Sequence, residues 1–119
     1  MTNVNPTQTG RIIELQPLDE KLDTECVIPL IETNGMRVVR IVVPSGRNVP
    51  KHEAEGESIL HCLKGHIELR TLGGKSSVQA GELIYLTSSE PFSIHGIESS
   101  SVLVTIVKPK EGANVKVVG

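Results

Sequence analysis

Short runs of β-branched residues, each closed by glycine, proline, serine or asparagine, set the strongest limit on how this chain can fold. The runs at residues 38–43, 83–86 and 102–107 consist mostly of Val, Ile and Leu. Such runs favour strands, because branched side chains pack well on a pleated surface. No stretch carries apolar residues at a sustained helical spacing. We therefore predict a chain that is almost entirely β-structure.

Turn residues divide the chain into many short strands. Asn34-Gly35 is a strong signal for a two-residue hairpin, and Lys64-Gly65 and Gly73-Gly74 mark further turns. Only residues 17–22, with a proline at a first-turn position, are suited to one helical turn. Many short strands at close spacing predict a sandwich or a small barrel. The predicted strands are residues 12–15, 25–32, 36–43, 58–63, 66–72, 76–78, 82–86, 92–97 and 101–108, with 115–118 as a further candidate.

Length and charge exclude several classes of protein. A chain of 119 residues has room for one domain with one modest core. The 12 basic and 14 acidic residues form no block of like charge, so we predict no nucleic-acid partner and no membrane partner. The apolar runs are too short to cross a bilayer, and residues 1–9 lack the apolar core of a signal peptide. We predict a cytoplasmic protein in which Cys26 and Cys62 are free thiols.

Two glycines and a histidine stand at a characteristic spacing in the middle of the chain. Gly46 is followed by His52 and then by Gly65. This arrangement resembles the first sequence motif of the cupin family, in which two His and one Glu lie between two glycines. In this chain Ala54 stands at the second His position and Ser58 at the Glu position. The glycines and the first His of the motif are therefore present, and its other metal ligands are not.

In the second cupin motif, the surrounding residues resemble the family more than the metal-ligand positions do. Gly81 opens it, as in the family, and an apolar run and a proline follow. Phe92 stands where the family has its His. The resemblance covers about residues 38–107 and implies an all-β, cupin-type jelly-roll barrel, the double-stranded β-helix, with residues 25–119 as the single domain.

Residues 1–24 have no place in the minimal barrel that the resemblance implies. Cupins of this size commonly pair through sheet edges, and a strand added across an interface protects an edge that would otherwise aggregate. We therefore predict a homodimer in which the segment 1–24 contributes a strand exchanged between subunits.

The metal ligands of the family correspond here to His52, Ala54, Ser58 and Phe92. A methyl group, a hydroxyl and a phenyl ring cannot supply the three or four donors that a divalent transition metal needs. We therefore predict that the protein has no cofactor.

A rebuilt metal site is the alternative. A bulge at Gly56 would turn Glu57 inward beside His52, and Cys62 would supply a third donor. This arrangement would hold a divalent transition metal without the family's own ligand set.

Alternation along the predicted strands selects the residues that face the barrel interior. Ser58, Leu60 and Cys62 share one face, and Phe92 shares a face with Ile94. Arg37, Arg40 and Arg47 are candidate ligands for a carboxylate inside the barrel, and Arg40 is preferred because it interrupts an otherwise apolar strand. The predicted ligand pocket consists of Arg40, His52, Ala54, Ser58, Leu60, Cys62, Phe92 and Ile94.

Three classes of function remain open. The first is a metal-free cupin that binds a small, partly apolar molecule inside the barrel as a sensor or accessory protein. The second is a metal-dependent oxygenase or isomerase with displaced ligands. The third is a metal-free isomerase similar to the sugar-nucleotide epimerase branch of cupins, with His52 as general base and Tyr85 as acid. The third class requires His52 and Tyr85 to converge on one cavity.

Overall fold

Nine strands and no helix make up the part of the chain that the computed structural model describes, which is residues 9–15, 26–53, 56–87 and 90–109. No helix able to cross a membrane is present in these ranges. The strands are β1 Cys26–Glu32, β2 Met36–Val43, β3 Asn48–Glu53, β4 Glu57–Lys64, β5 His66–Thr71, β6 Gly74–Gln79, β7 Leu83–Leu86, β8 Pro91–Gly96 and β9 Ser100–Val107.

The strands form two antiparallel sheets that face each other. The five-stranded sheet has the order β1-β2-β9-β4-β7, and the four-stranded sheet has the order β3-β8-β5-β6. The chain passes from one sheet to the other at most connections, which is the jelly-roll arrangement. The hairpin predicted at Asn34-Gly35 joins β1 to β2, and the backbone N–H of Thr33 donates to the carbonyl of Met36 at 2.9 Å. The prediction of an all-β jelly roll is confirmed.

The predicted strands differ from the structure at two places. Strand β3 was not predicted, because Pro50 and the charged Lys51 and Glu53 hide its pattern. Proline is tolerated there because β3 lies at the edge of its sheet, where one missing N–H need not break a ladder. The strand predicted at 12–15 is wrong, since residues 11–15 are irregular.

Several sequence predictions fall outside the described residues. The helical turn at 17–22 and the strand at 115–118 are among them. Of the segment 1–24, only residues 9–15 are described, and the exchanged strand stays a prediction.

The core lies between the sheets, where alternate residues of the central strands meet. Transfer of each such apolar side chain out of water contributes about 1.5–3 kcal/mol. The core residues with the least exposure are Val43, Leu60, Cys62, Ile67, Leu69, Ile94, Val102 and Val104.

The two ends of the barrel differ. At one end, here called the base, the turn of residues 44–47 carries β2 into β3, and Gly96 is tied to it by backbone hydrogen bonds to Gly46 at 2.7 Å and Arg47 at 2.9 Å. At the other end, here called the mouth, β3 and β7 end at Glu53 and Leu86, and β4 and β8 begin a few residues later. Strand ends from both sheets therefore surround the mouth.

Candidate functional site

In the wall of the mouth on the five-stranded sheet, one hydroxyl lies between two aliphatic side chains. Ser58 lies in register between Leu86 of β7 and Ile106 of β9. Residues paired in this way share one face of a sheet. All three are buried, with Ser58 only 2% exposed. The Ser58 side chain is therefore held inside the barrel between two aliphatic neighbours.

The facing wall is built around Phe92. The Phe92 ring is 2% exposed and belongs to the core. Its backbone pairs with Thr71 of β5 on one side and with His52 of β3 on the other. The register therefore puts the positions of His52, Phe92 and Thr71 in one row at the mouth. The side chain of His52 and all of Ala54 lie outside the described part of the chain.

The hydroxyl of Ser58 has no hydrogen-bond partner among the described residues. The other buried serines do have partners. The Ser100 hydroxyl accepts the N–H of His66 at 2.9 Å and donates to the carbonyl of Glu98 at 2.7 Å, and the Ser101 hydroxyl accepts Nε–H of Arg40 at 2.8 Å. An unpaired buried hydroxyl costs about 1–3 kcal/mol. Within the described part of the chain, Ser58 therefore stands out as a buried polar group that lacks a partner.

A cleft of about 210 Å³ adjoins this region. Thr71 and Phe92 belong both to its lining and to the row that contains the His52 position. At about 30 Å³ for each liquid water, the cleft has room for roughly seven to ten non-hydrogen atoms. The lining residues are Arg70, Thr71, Leu72, Pro91, Phe92 and Ser93.

Leu60 and Ile94 form the floor below the mouth. Both are fully buried, and each lies one inward position further into the barrel than Ser58 or Phe92. Cys62 lies deeper still, four residues and about 13 Å along β4 from Ser58. Its thiol contacts the carbonyl oxygens of Lys64 at 3.5 Å and Gly65 at 3.7 Å. Cys62 is thus a residue of the base and is remote from the mouth.

The two thiols are expected to react at very different rates. Burial raises the pKa of the Cys62 thiol, so it stays protonated and unreactive at neutral pH. Cys26 is partly exposed and is paired with Val42, away from the core. We expect a thiol-specific reagent to modify Cys26 alone in the native protein and both cysteines in urea, as followed by mass spectrometry. Rapid modification of both in the native state would contradict this placement.

Arg40 does not lie where the sequence predicted. Val39 and Ile41 face the core, so Arg40, between them, lies on the other face of β2. There it pairs with Leu103, and its Nε–H donates to Ser101. The predicted face was wrong because residues 38–43 are buried on both faces of the strand and so carry no alternation.

Arg37 is the arginine of β2 that shares the core-facing side. It pairs with Ile106, the same residue that lies beside Ser58 in β9. The sequence indicated Arg37 as one of three candidate arginines, but favoured Arg40. Residues two apart on a strand share a face, so the core-facing orientation of Val39 and Ile41 identifies Arg37 as the arginine on that face.

Two of the three donors of the rebuilt metal site, Glu57 and Cys62, do not lie together. Glu57 is exposed and pairs with Val107, on the face of β4 opposite to Ser58. Cys62, the third donor, lies near the base. The described residues contain no group of three His, Cys, Asp or Glu side chains able to hold a metal ion. Ser58 and Phe92, at two of the family's ligand positions, do not fit a metal, because a phenyl ring offers no donor and fills the space beside the hydroxyl.

Tyr85 lies on the outer face of the five-stranded sheet. It is 55% exposed and pairs with Ile59, which is also exposed. Its hydroxyl therefore cannot meet the His52 position inside the barrel. This placement removes the phenol acid that the isomerase hypothesis requires.

Comparison with known proteins supports the fold. No family model matches the chain, and no curated protein is similar to it in sequence. An RmlC-like cupin with a double-stranded β-helix fold from Methanocaldococcus jannaschii superposes with a TM-score of 0.73 at 21% identity, covering 90% of this chain and 98% of that chain. A conserved protein of unknown function from Streptococcus pyogenes gives 0.72 at 18% identity, with 92% and 97% covered.

An enzyme of known activity is among the structures with this fold. A DMSP lyase from Ruegeria pomeroyi superposes with a TM-score of 0.66 at 19% identity, covering 77% of this chain and 51% of that chain. At such identities the likeness shows the fold alone. The chain therefore has the cupin fold, a double-stranded β-helix, as the sequence motif predicted.

Proposed function

We propose that this protein binds a small, partly apolar molecule at the mouth of its barrel without a metal ion. The buried Ser58 hydroxyl, which has no hydrogen-bond partner among the described residues, carries the proposal. It offers one donor and one acceptor inside an apolar wall, and small-molecule sites typically combine such a wall with a few placed polar groups. A ligand atom that meets this hydroxyl would remove its desolvation cost.

Binding is a better match than turnover for the side chains at this site. Of the side chains that the structure describes in this row, those of Ser58, Thr71 and Phe92 carry no group that titrates near neutral pH, and the Tyr85 phenol lies outside the barrel. The lyase of the same fold does not argue against this, because a shared fold hosts unrelated chemistries. We therefore propose that the protein acts as a sensor or an accessory protein.

Replacing Ser58 with alanine is expected to make the ligand-free protein more stable. The substitution removes a buried hydroxyl that has no partner in the ranges that the structure describes, so we expect the free energy of unfolding to rise by about 0.5–1 kcal/mol. Urea denaturation of wild type and Ser58→Ala measures the change. A loss of more than about 1 kcal/mol would show that the hydroxyl is already bonded in the free protein.

Ser100→Ala is the matched control for this experiment. Ser100 is as buried as Ser58, but its hydroxyl both accepts and donates. Its removal leaves the N–H of His66 without that acceptor and should cost about 1–3 kcal/mol. The two serine variants are thus expected to change stability in opposite directions.

A ligand screen tests the function itself. Small alcohols, amides, sugars and carboxylates of up to roughly ten non-hydrogen atoms suit the available volume. We expect at least one to raise the melting temperature of wild type and to do so much less in Ser58→Ala. If no compound stabilises the wild type, or if stabilisation is the same in Ser58→Ala, the mouth is not the site.

A further inference from the structure

A cluster of three charged side chains, here called the rim cluster, consists of Glu32, Arg37 and Lys108. Nε of Arg37 lies 3.1 Å from Oε1 of Glu32, and Nζ of Lys108 contacts Oε2 of the same carboxylate. Nζ of Lys108 also donates to the carbonyl of Thr33 at 2.9 Å. Two cations share one anion, so the cluster carries one excess positive charge.

The register places this excess charge at the mouth. Arg37 pairs with Ile106, and Ile106 pairs with Ser58, so all three belong to one inward-facing row of the five-stranded sheet. Lys108 lies just after the end of β9, and its contact with Glu32, which pairs with Arg37, places it at the mouth beside this row. Arg37 and Ser58 are two strand spacings apart, which is about 10 Å.

The charge of the cluster persists under ordinary conditions. The hydrogen bond from Lys108 is the largest of the influences that lower the pKa of Glu32, and the Lys108 and Arg37 charges act in the same direction. Glu32 is therefore ionised at neutral pH, and the two cations are not matched by a second acid within the cluster.

Charges of both signs lie at the opposite rim. There Oε2 of Glu90 accepts the backbone N–H of Leu72 at 3.3 Å, just before the start of β8, and the Arg70 guanidinium donates to Oε1 of Glu68 at 3.0 Å. An anionic group on a ligand would be drawn to the excess positive charge of Arg37 and Lys108.

We infer that the ligand of this site is a carboxylic acid whose carboxylate meets Arg37 and Lys108 while a polar atom at its far end meets the Ser58 hydroxyl. This inference rests on the function proposed above. The Arg37 guanidinium presents a planar fork that matches a carboxylate. Ile106 lies between the two polar contacts and packs on the aliphatic part of the ligand. The distance of about 10 Å between Arg37 and Ser58 suits a ligand with a carbon chain on the order of six atoms long.

Matched pairs of ω-hydroxy acids and their amides test this inference. The probes are 6-hydroxyhexanoate and its shorter and longer homologues, each compared with the neutral amide, by calorimetric titration. We expect at least one acid to bind about ten-fold more tightly than its amide, because only the acid forms a charge-assisted contact with Arg37.

Arg37→Gln should lower the affinity for the acid about ten-fold and abolish the preference over the amide. Arg47→Gln is the charge-matched control. Arg47 is exposed in the turn at the base, and only its backbone contacts Pro44 and Gly96. Arg47→Gln should therefore keep the wild-type affinity for the acid and the preference for the acid over its amide.

The outcomes separate this inference from the proposed function. Acids and amides that bind equally well, with affinity lost in Ser58→Ala and unchanged in Arg37→Gln, would overturn the carboxylate inference and leave the mouth as the site. If no probe binds and the broader screen also finds no ligand sensitive to Ser58, both proposals fall together.

Discussion

Replacing Phe92 with alanine is expected to lower the free energy of unfolding by about 3–5 kcal/mol. The ring is 2% exposed and packs in the core at the mouth. Its loss removes buried apolar area and leaves a cavity that the rigid strands on either side, β3 and β5, can only partly close. Urea denaturation followed by circular dichroism measures the change. Phe92→Leu, which keeps most of the apolar volume, should recover much of the lost stability.

Tyr85→Ala is the control for the aromatic substitution. Tyr85 is 55% exposed on an edge strand of the other sheet. Its replacement should change the free energy of unfolding by no more than about 0.5–1 kcal/mol. Equal losses of stability in the two variants would mean that Phe92 is not a core residue and that its ring does not form the wall opposite Ser58.

Gly65→Ala is expected to destabilise the protein by about 3–5 kcal/mol, from two separate causes. Gly65 has a φ of 92°, a conformation that a side chain disfavours. A methyl group at this position would also collide with the backbone of Ser99 and Ser100, lying 2.7 Å from Cα of Ser100. Because those atoms belong to backbone, they cannot move aside without displacing the start of β9.

Gly46→Ala separates the two causes. Gly46 has a φ of 79°, but a methyl group there would meet no atom within 4 Å. Only the conformational cost of about 1–2 kcal/mol then applies. Thermal and urea unfolding of both variants should show the much larger loss in Gly65→Ala. Equal losses would mean that the β4–β5 turn and β9 do not approach each other as described.

Sequence patterns predicted most of the fold, because the strands that form the interior have one buried and one exposed face. In β4 the alternation of Ser58, Leu60 and Cys62 with the residues between them is the same in the sequence and in the structure. Strand β2 has no such alternation, since it is covered on both faces, and Arg40 was assigned to the wrong one. Strand β3 was missed because proline and charge obscure its short pattern.

The features that suggest a function needed the structure. That the Ser58 hydroxyl finds no partner among the described residues depends on the atoms of neighbouring strands, which no sequence pattern specifies. The rim cluster joins residues 32, 37 and 108, which come together only because β1, β2 and β9 are adjacent. The metal-ligand positions, in contrast, could be judged from residue types alone, because alanine and phenylalanine offer no donor at any geometry.

An NMR titration of ¹⁵N-labelled protein tests most directly whether the mouth of the barrel is a binding site. The titrant is the small compound that most raises the melting temperature. We expect the largest shifts at the backbone amides of Ser58, Thr71, Leu86 and Phe92, with little change at Tyr85 or at the Arg47 turn. Shifts confined to the outer faces of the sheets, or their persistence in Ser58→Ala, would contradict a ligand site inside the barrel.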